Sequence, residues 1–173
     1  MDDHIDGIDQ ETDASEAAET NQPNTRQFIS FRVGDEEFAI DIMAVREIKG
    51  WTETAPLPNQ PDYNLGVMNL RGTIVPTFDL RRRFGMGGTV ATPYHVVIIA
   101  SVKERTIGLL VDAVSDILTV HEDQIRPVPD MERIAAAEFL SGIITVEENM
   151  VVLLSLEKLF QRGDVTASGD MAA

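Results

Sequence analysis

The chain is 173 residues long, 43% hydrophobic, free of cysteine, and carries a formal net charge of −15. That length suits one ordinary domain or two small ones; the missing cysteines exclude disulfides and thiolate chemistry and fit a reducing cytosol; and the acidic balance argues against nucleic acid, whose phosphates need clustered Lys and Arg. No apolar run approaches the roughly 20 residues of a membrane span, and the acidic start MDDHIDGIDQ is the reverse of a signal peptide's basic one.

In chain order, residues 1–25 hold eight acids and no Lys or Arg. So polar a stretch, almost without large apolar side chains, reads as a disordered, solvating tail. The first apolar run begins at Phe28. Gly34-Asp35-Glu36 reads as a hairpin turn, and after it Phe38, Ile40 and Ile42 alternate with Ala39 and Asp41, the period of a half-buried strand. GVMNLRGTIVPTFDL (66–80) reads as a second hairpin with Arg71-Gly72 at its tip. LRRRF (80–84) looks like a short helical closure whose arginines form an exposed face, and GMGG (85–88) like a flexible connector.

The same grammar is then repeated. Shifted by 69 positions, FISFRVGDEEFAIDIMAVREI (28–48) falls on VIIASVKERTIGLLVDAVSDI (97–117), so that Ile29 meets Ile98, Ile40 meets Leu109, Val45 meets Val114 and Ile48 meets Ile117. Shifted by 76, GVMNLRGTIVPTFDLRRRF (66–84) falls on GIITVEENMVVLLSLEKLF (142–160). PLP (56–58) likewise corresponds to PVP (127–129). Three matched segments in one order mark a tandem repeat, about 28–84 and 97–160. Each copy supplies four to five short strands, which suggests an all-β chain of two small barrels. Barrels of about 60 residues are marginal alone, so the two are expected to pack together and to exchange strands. Only DMERIAAAEFL (130–140) carries a hint of a longer helix. Residues 163–173 read as a second disordered tail.

Little here resembles catalytic equipment. His4, His95 and His121 have no second His or Cys at ligand spacing, so neither a metal nor another cofactor is expected. Nucleophile elbow, Walker loop and kinase signature are missing from the sequence. Asp41, Asp79 and Asp112 stand at strand positions, where they face solvent or cap turns. A two-module chain of this kind is expected to be no enzyme and to work by binding.

The repeat supplies an internal control for Arg71. The second copy makes the corresponding hairpin with Glu147-Glu148, so the architecture does not demand arginine at this tip, whereas Gly66 and Gly142 match and read as a bulge or close backbone approach. Arg71 is either a solvated turn residue or a group with a copy-specific task, and Glu47 is the acid best placed to pair with it. Such a pair, exposed, adds at most about 1 kcal/mol.

Taken together, GDEEFAIDIMAVREI, PLPNQPDYNLGVMNLRGTIVPTFDLRRRFG, GLLVDAVSDIL and QIRPVP resemble the CheW family of bacterial chemotaxis coupling proteins, over about residues 26–162. No kinase or receiver domain is expected after 162, so the stand-alone form is the expected match. The resemblance implies two five-stranded SH3-like barrels with interlaced strands and no catalysis. It implies a cytoplasmic adaptor, recruited to membrane-associated arrays only through receptors, that couples the cytoplasmic tips of chemoreceptors to the regulatory domain of the histidine kinase CheA, with other CheW copies joining in rings. A scaffold in a non-flagellar chemosensory pathway is the alternative. By position, the receptor groove would involve Ile29, Ile42, Val45, Ile48 and Val114, and the coupling surface Glu47, Asn69 and Arg71. Periodicity alone reads the valines as core; the resemblance moves Val45 towards a groove.

Overall fold

The computed structural model describes residues 24–128 and 137–160. The tails read above as disordered lie almost wholly outside these residues, as does most of DMERIAAAEFL; of that segment, 137–139 form a 3₁₀ turn and Leu140 opens a strand. Among the described residues there are ten strands: β1 (Thr25–Val33), β2 (Glu36–Asp41), β3 (Val45–Gly50), β4 (Asn64–Leu70), β5 (Thr73–Asp79), β6 (Val96–Val102), β7 (Arg105–Val111), β8 (Ala113–His121), β9 (Leu140–Val146) and β10 (Asn149–Leu154). Two single-turn helices, α1 (Leu80–Arg83) and α2 (Leu156–Leu159), follow β5 and β10. The chain is thus all-β, five strands to each copy.

The strands form two five-stranded sheets, in the orders β8-β1-β2-β10-β9 and β3-β6-β7-β5-β4, each curled into a small SH3-like barrel. Neither barrel belongs to one copy. The chain lays down β1 and β2 in the first barrel, crosses at the 3₁₀ turn Ile42–Ala44, builds β3 to β7 in the second, and crosses back at Asp112 to complete the first with β8 to β10. Strand exchange therefore happens at two points, equivalent in the repeat. The parallel pairs β2–β10 and β5–β7 are equivalent too.

Exchange lets both faces of a strand bury apolar surface. Ile29, Phe31, Val33, Phe38 and Ile40 join their counterparts Ile98, Ala100, Val102, Ile107 and Leu109 in one cluster shared by the barrels. The opposite faces fill each barrel separately: Phe28, Ala39 and Val120 in the first, Val75, Val97 and Leu110 in the second. The closing helices cross over as well. Phe84, after α1, lies 4.9 Å from Phe38, and Phe160, after α2, lies 4.5 Å from Phe78, so each reaches the other barrel's hairpin.

The matched glycines are places of close approach. At Gly66, φ is +109° and a Cβ would sit 2.1 Å from the Ala55 carbonyl oxygen; β4 is bulged at that point. At Gly142 a Cβ would meet Ile125 Cγ2 at 2.9 Å and the Arg126 carbonyl at 3.2 Å. In both copies a passing segment bridges to this strand, Ala55 to Val67 and Arg126 to Ile143.

The arginine run departs from expectation. Arg81 and Arg83 are half-buried and engaged, leaving Arg82 as the exposed one. In GMGG the three glycines are exposed, while Met86 packs against the shared cluster with its sulfur 3.6 Å from where a Cβ on Gly34 would lie. A helix of one turn ending at the seam has too little outward face to keep three arginines in solvent.

Candidate functional site

Strand β3 carries three of the eight predicted site residues, Val45, Glu47 and Ile48, and a β-bulge decides how they face. Val45 stands opposite Ala100 and Glu47 opposite Ile99, so Arg46 is the extra residue. A bulge re-aims the side chains that follow it. Val45 and Ile48, three apart, therefore share a face, because Ala100 and Ile98 do. The second copy repeats the device: Val114 is opposite Phe31 and Ile117 opposite Ile29, with Ser115 the extra residue.

The face thus made borders the shared cluster. Val45 and Val114 are half-buried and pack against it. Ile48 and Ile117 stand out from it, 42% and 52% exposed, and Met43 in the first crossover is 85% exposed. Ile42 is half-buried in the same 3₁₀ turn. Ile29, at 5% exposure, belongs to the shared core, facing Ile117 across the β1–β8 pair. The structure thus gathers Ile42, Val45, Ile48 and Val114 around the two crossovers and sets Ile29 beneath the surface. Met43 and Ile117 join them on the surface. The repeat already matched Ile117 to Ile48, a signal that could have found it; Met43 has no apolar counterpart, since Asp112 stands there.

Glu47 points the other way, to the mouth of the second barrel, because its partner Ile99 faces that barrel's own core. There it forms an ion pair with Arg71, whose side chain is 73% exposed against 30% for Glu47. Arg71 and Gly72 are a two-residue turn with φ of +51° and +86°, the hairpin geometry that matches strand twist. Asn69 shapes the turn by accepting a hydrogen bond from the Gly72 N–H at 2.7 Å. The pair borders an open cleft of about 550 Å³ that Arg46, Thr73, Glu104 and Thr106 help to line. In the second copy Glu147 and Glu148 hold the same turn at φ of +49° and +72°, and Asp116 stands where Glu47 does. Two acids cannot make that pair, so the clasp belongs to one barrel.

The three strand-position aspartates divide their work. Asp41 caps the 3₁₀ turn through the Met43 N–H and pairs with Arg26 at 3.0 Å. Asp79, 1% exposed, caps α1 through the Arg81 N–H and accepts from the Thr89 N–H and hydroxyl. Asp112 takes the Gly34 N–H at 2.7 Å and Arg81 Nη2 at 2.8 Å, with His95 Nε2 at 3.4 Å. Burial pushes the Asp112 carboxyl up, but the Gly34 N–H, the hydrogen bond and charge of Arg81, and the charge of His95 outweigh it and hold the group below its ordinary value of 3.8. A carboxyl depressed in the folded state stabilises above its unfolded pKa, and that stability is lost as pH falls through the folded value. The difference in Tm between the wild type and Asp112→Asn, read by fluorescence of the single Trp51, is therefore expected to shrink as pH drops below about 3.8.

Among the described residues no group of three or more His, Asp or Glu could hold a metal ion, and no helix is long and apolar enough to cross a membrane. Apolar shelf and charged tip lie on opposite faces of one strand, an arrangement suited to holding two partners.

Known proteins share this chain's sequence and fold. A family model described as CheW-like domain matches residues 27–164. The chemotaxis protein CheW of Rhizobium meliloti is 50% identical over 135 residues, 78% of this chain and 87% of that one. A probable chemotaxis protein CheW of Rhizobium etli is 44% identical over 89% of this chain and 99% of its own. The crystal structure of the scaffolding protein TtCheW from Thermoanaerobacter tengcongensis superposes with a TM-score of 0.73 at 29% identity, covering 80% of this chain and 94% of that one. With the family model spanning every described strand but the first two residues of β1, and with close relatives covered over most of their length, this chain belongs to the CheW family.

Proposed function

We propose that the protein is a non-catalytic adaptor that couples chemoreceptors to the histidine kinase CheA, in the cytoplasm and at the membrane only through the receptors it binds. The observation that carries this reading is the pair of equivalent apolar shelves, Val45 with Ile48 and Val114 with Ile117, each starting just after one of the two crossovers. An amphipathic helix laid into an apolar groove is a common mode of recognition, and a groove with one wall from each barrel suits the two-helix tip of a receptor. Glu47 and Arg71 face away from that groove, so they serve the second partner, the CheW-like regulatory domain of CheA, or another copy of this chain in a ring.

The test separates the two faces. Arg71→Glu sets two acids against each other at an exposed site, where charge pairs contribute about 1 kcal/mol or less, so Tm is expected to change little. Binding of the CheA regulatory domain should weaken about tenfold or more, as for like charges juxtaposed at an interface, while a receptor-tip fragment binds as before. Exchanging the charges in Glu47→Arg with Arg71→Glu should restore part of the loss. If Arg71→Glu instead unfolds the protein, or leaves kinase-domain binding intact, the coupling role of the tip is wrong.

A further inference from the structure

The two crossovers are equivalent in the repeat yet are held in different ways. At the first, the position matching Asp112 is Met43, 85% exposed, and the turn is fixed locally by its Asp41 cap. At the second, the chain passes from Val111 to Ala113 through Asp112 alone, and that residue is fastened to both barrels. Its N–H donates to the Arg32 carbonyl at 3.0 Å and its Oδ2 accepts from the Gly34 N–H at 2.7 Å; both partners flank the β1–β2 turn of the first barrel. The same Oδ2 accepts from Arg81 Nη2 at 2.8 Å, and Oδ1 faces His95 Nε2 at 3.4 Å; both come from elements of the second barrel. The imidazole is oriented for this, since its Nδ1 meets the Thr92 N–H at 3.1 Å, which turns Nε2 towards the carboxylate.

Val114 lies two residues beyond this knot and, on the proposed reading of the site, is the groove wall equivalent to Val45. Four contacts on one residue leave the start of β8 little freedom, whereas the Met43 side has no comparable cross-barrel clamp among the described residues. We propose that Asp112 is a positioning residue for the groove, setting where Val114 stands relative to Val45 through its simultaneous hold on Gly34, Arg81 and His95. The proposal rests on the reading of the groove as a receptor site. A binding wall must be held by a supporting set of contacts to keep its geometry, and a single carboxylate shared between the two barrels does this where they meet.

The full-length protein with Asp112→Asn decides it. The amide keeps one acceptor oxygen but loses the charge and turns an N–H₂ group on one of its former donors. Binding of a chemoreceptor-tip fragment is expected to fall about tenfold, within the range for coupling through a packed element. In the free protein the Val114 methyl resonances should move, while those of Ile74 and Val75, at the far mouth of the second barrel, stay in place. Should Asp112→Asn fail to fold, Arg81→Met, which removes one clamp and keeps the apolar stem, carries the same test. Val114→Arg is the control. If it abolishes binding while the Asp112 variant binds at full strength, or loses strength with its Val114 methyls unmoved, the positioning role falls and the groove stands. If both variants bind as well as the wild type, the groove reading itself falls.

Discussion

Gly66→Ala is expected to destabilise the protein by about 3 kcal/mol or more, a large share of the roughly 5–15 kcal/mol that holds an ordinary domain together. Two costs fall on one atom. The backbone at φ of +109° lies in a region that L side chains rarely adopt, and the new Cβ would stand 2.1 Å from the Ala55 carbonyl oxygen and 2.8 Å from Pro56 Cα. Those are backbone atoms, with no flexible side chain to swing away. Relief requires breaking the Ala55–Val67 bridge, whose two hydrogen bonds of 2.8 and 2.9 Å hold the passing segment against β4. Detaching it uncovers the core that Trp51 and Leu65 help to close. Two other glycines calibrate the prediction. Gly142→Ala meets a side-chain methyl first and has no positive φ, so it should cost about 1–2 kcal/mol. Gly72→Ala has nothing within 4 Å and pays only for its left-handed backbone, about 1 kcal/mol. Urea unfolding followed by Trp51 fluorescence gives the order; a Gly66→Ala variant no worse than Gly72→Ala would mean that the close approach is not what fixes this glycine.

Much of the architecture was legible because the chain states its pattern twice. Matching Ile29 to Ile98 and Ile40 to Leu109 located both hairpins and their inward faces, and the shared cluster holds all four residues. The tip mismatch between Arg71 and Glu147 singled out a charge, and choosing Glu47 as its partner identified an ion pair that the structure contains. What periodicity does not encode is the identity of a strand's neighbour. VVIIASV reads the same whether β6 pairs with β3 or with β8, so the crossovers were expected without being placed. Bulges are equally silent: one extra residue at Arg46 turns Val45 and Ile48 onto a common face that strict alternation would separate. Ile29 was drawn into the groove by its place in the family pattern, yet its side chain completes the core, since β1 is a central strand with both faces covered. The arginine run misled for a related reason. Charge in sequence suggests solvent, and only the seam between barrels explains why two of the three arginines turn inward.

Arg83→Ala is expected to cost about 3 kcal/mol, from hydrogen bonds to a charged donor worth roughly 1.5–3 kcal/mol and cation–π contacts of about 0.5–1 kcal/mol each. The guanidinium donates through Nε and Nη2 to the Leu159 carbonyl at 3.1 and 2.9 Å, and lies 4.5 Å from the ring centres of both Tyr63 and Phe139. Arg83 and Leu159 are equivalent positions of the repeat, 76 apart, and so are Tyr63 and Phe139. The staple therefore sits where the two copies face each other, binding the last turn of α2 to α1. Arg83→Lys should recover less than half the loss, because an ammonium keeps the charge but offers no planar fork to a single carbonyl between two rings. The consequence extends beyond the site. If the seam makes the barrels one cooperative unit, Trp51 fluorescence, which reports on the second barrel, and far-UV circular dichroism, which reports on both, will shift to the same lower urea midpoint in Arg83→Ala. Separation of the two midpoints in the variant, with coincidence in the wild type, would assign cooperativity between the barrels to this arginine and not to the shared apolar core. The shared core, with 21 buried residues from both copies among the described ones, favours coincidence, because removing one staple leaves almost all of the surface that each barrel buries against the other.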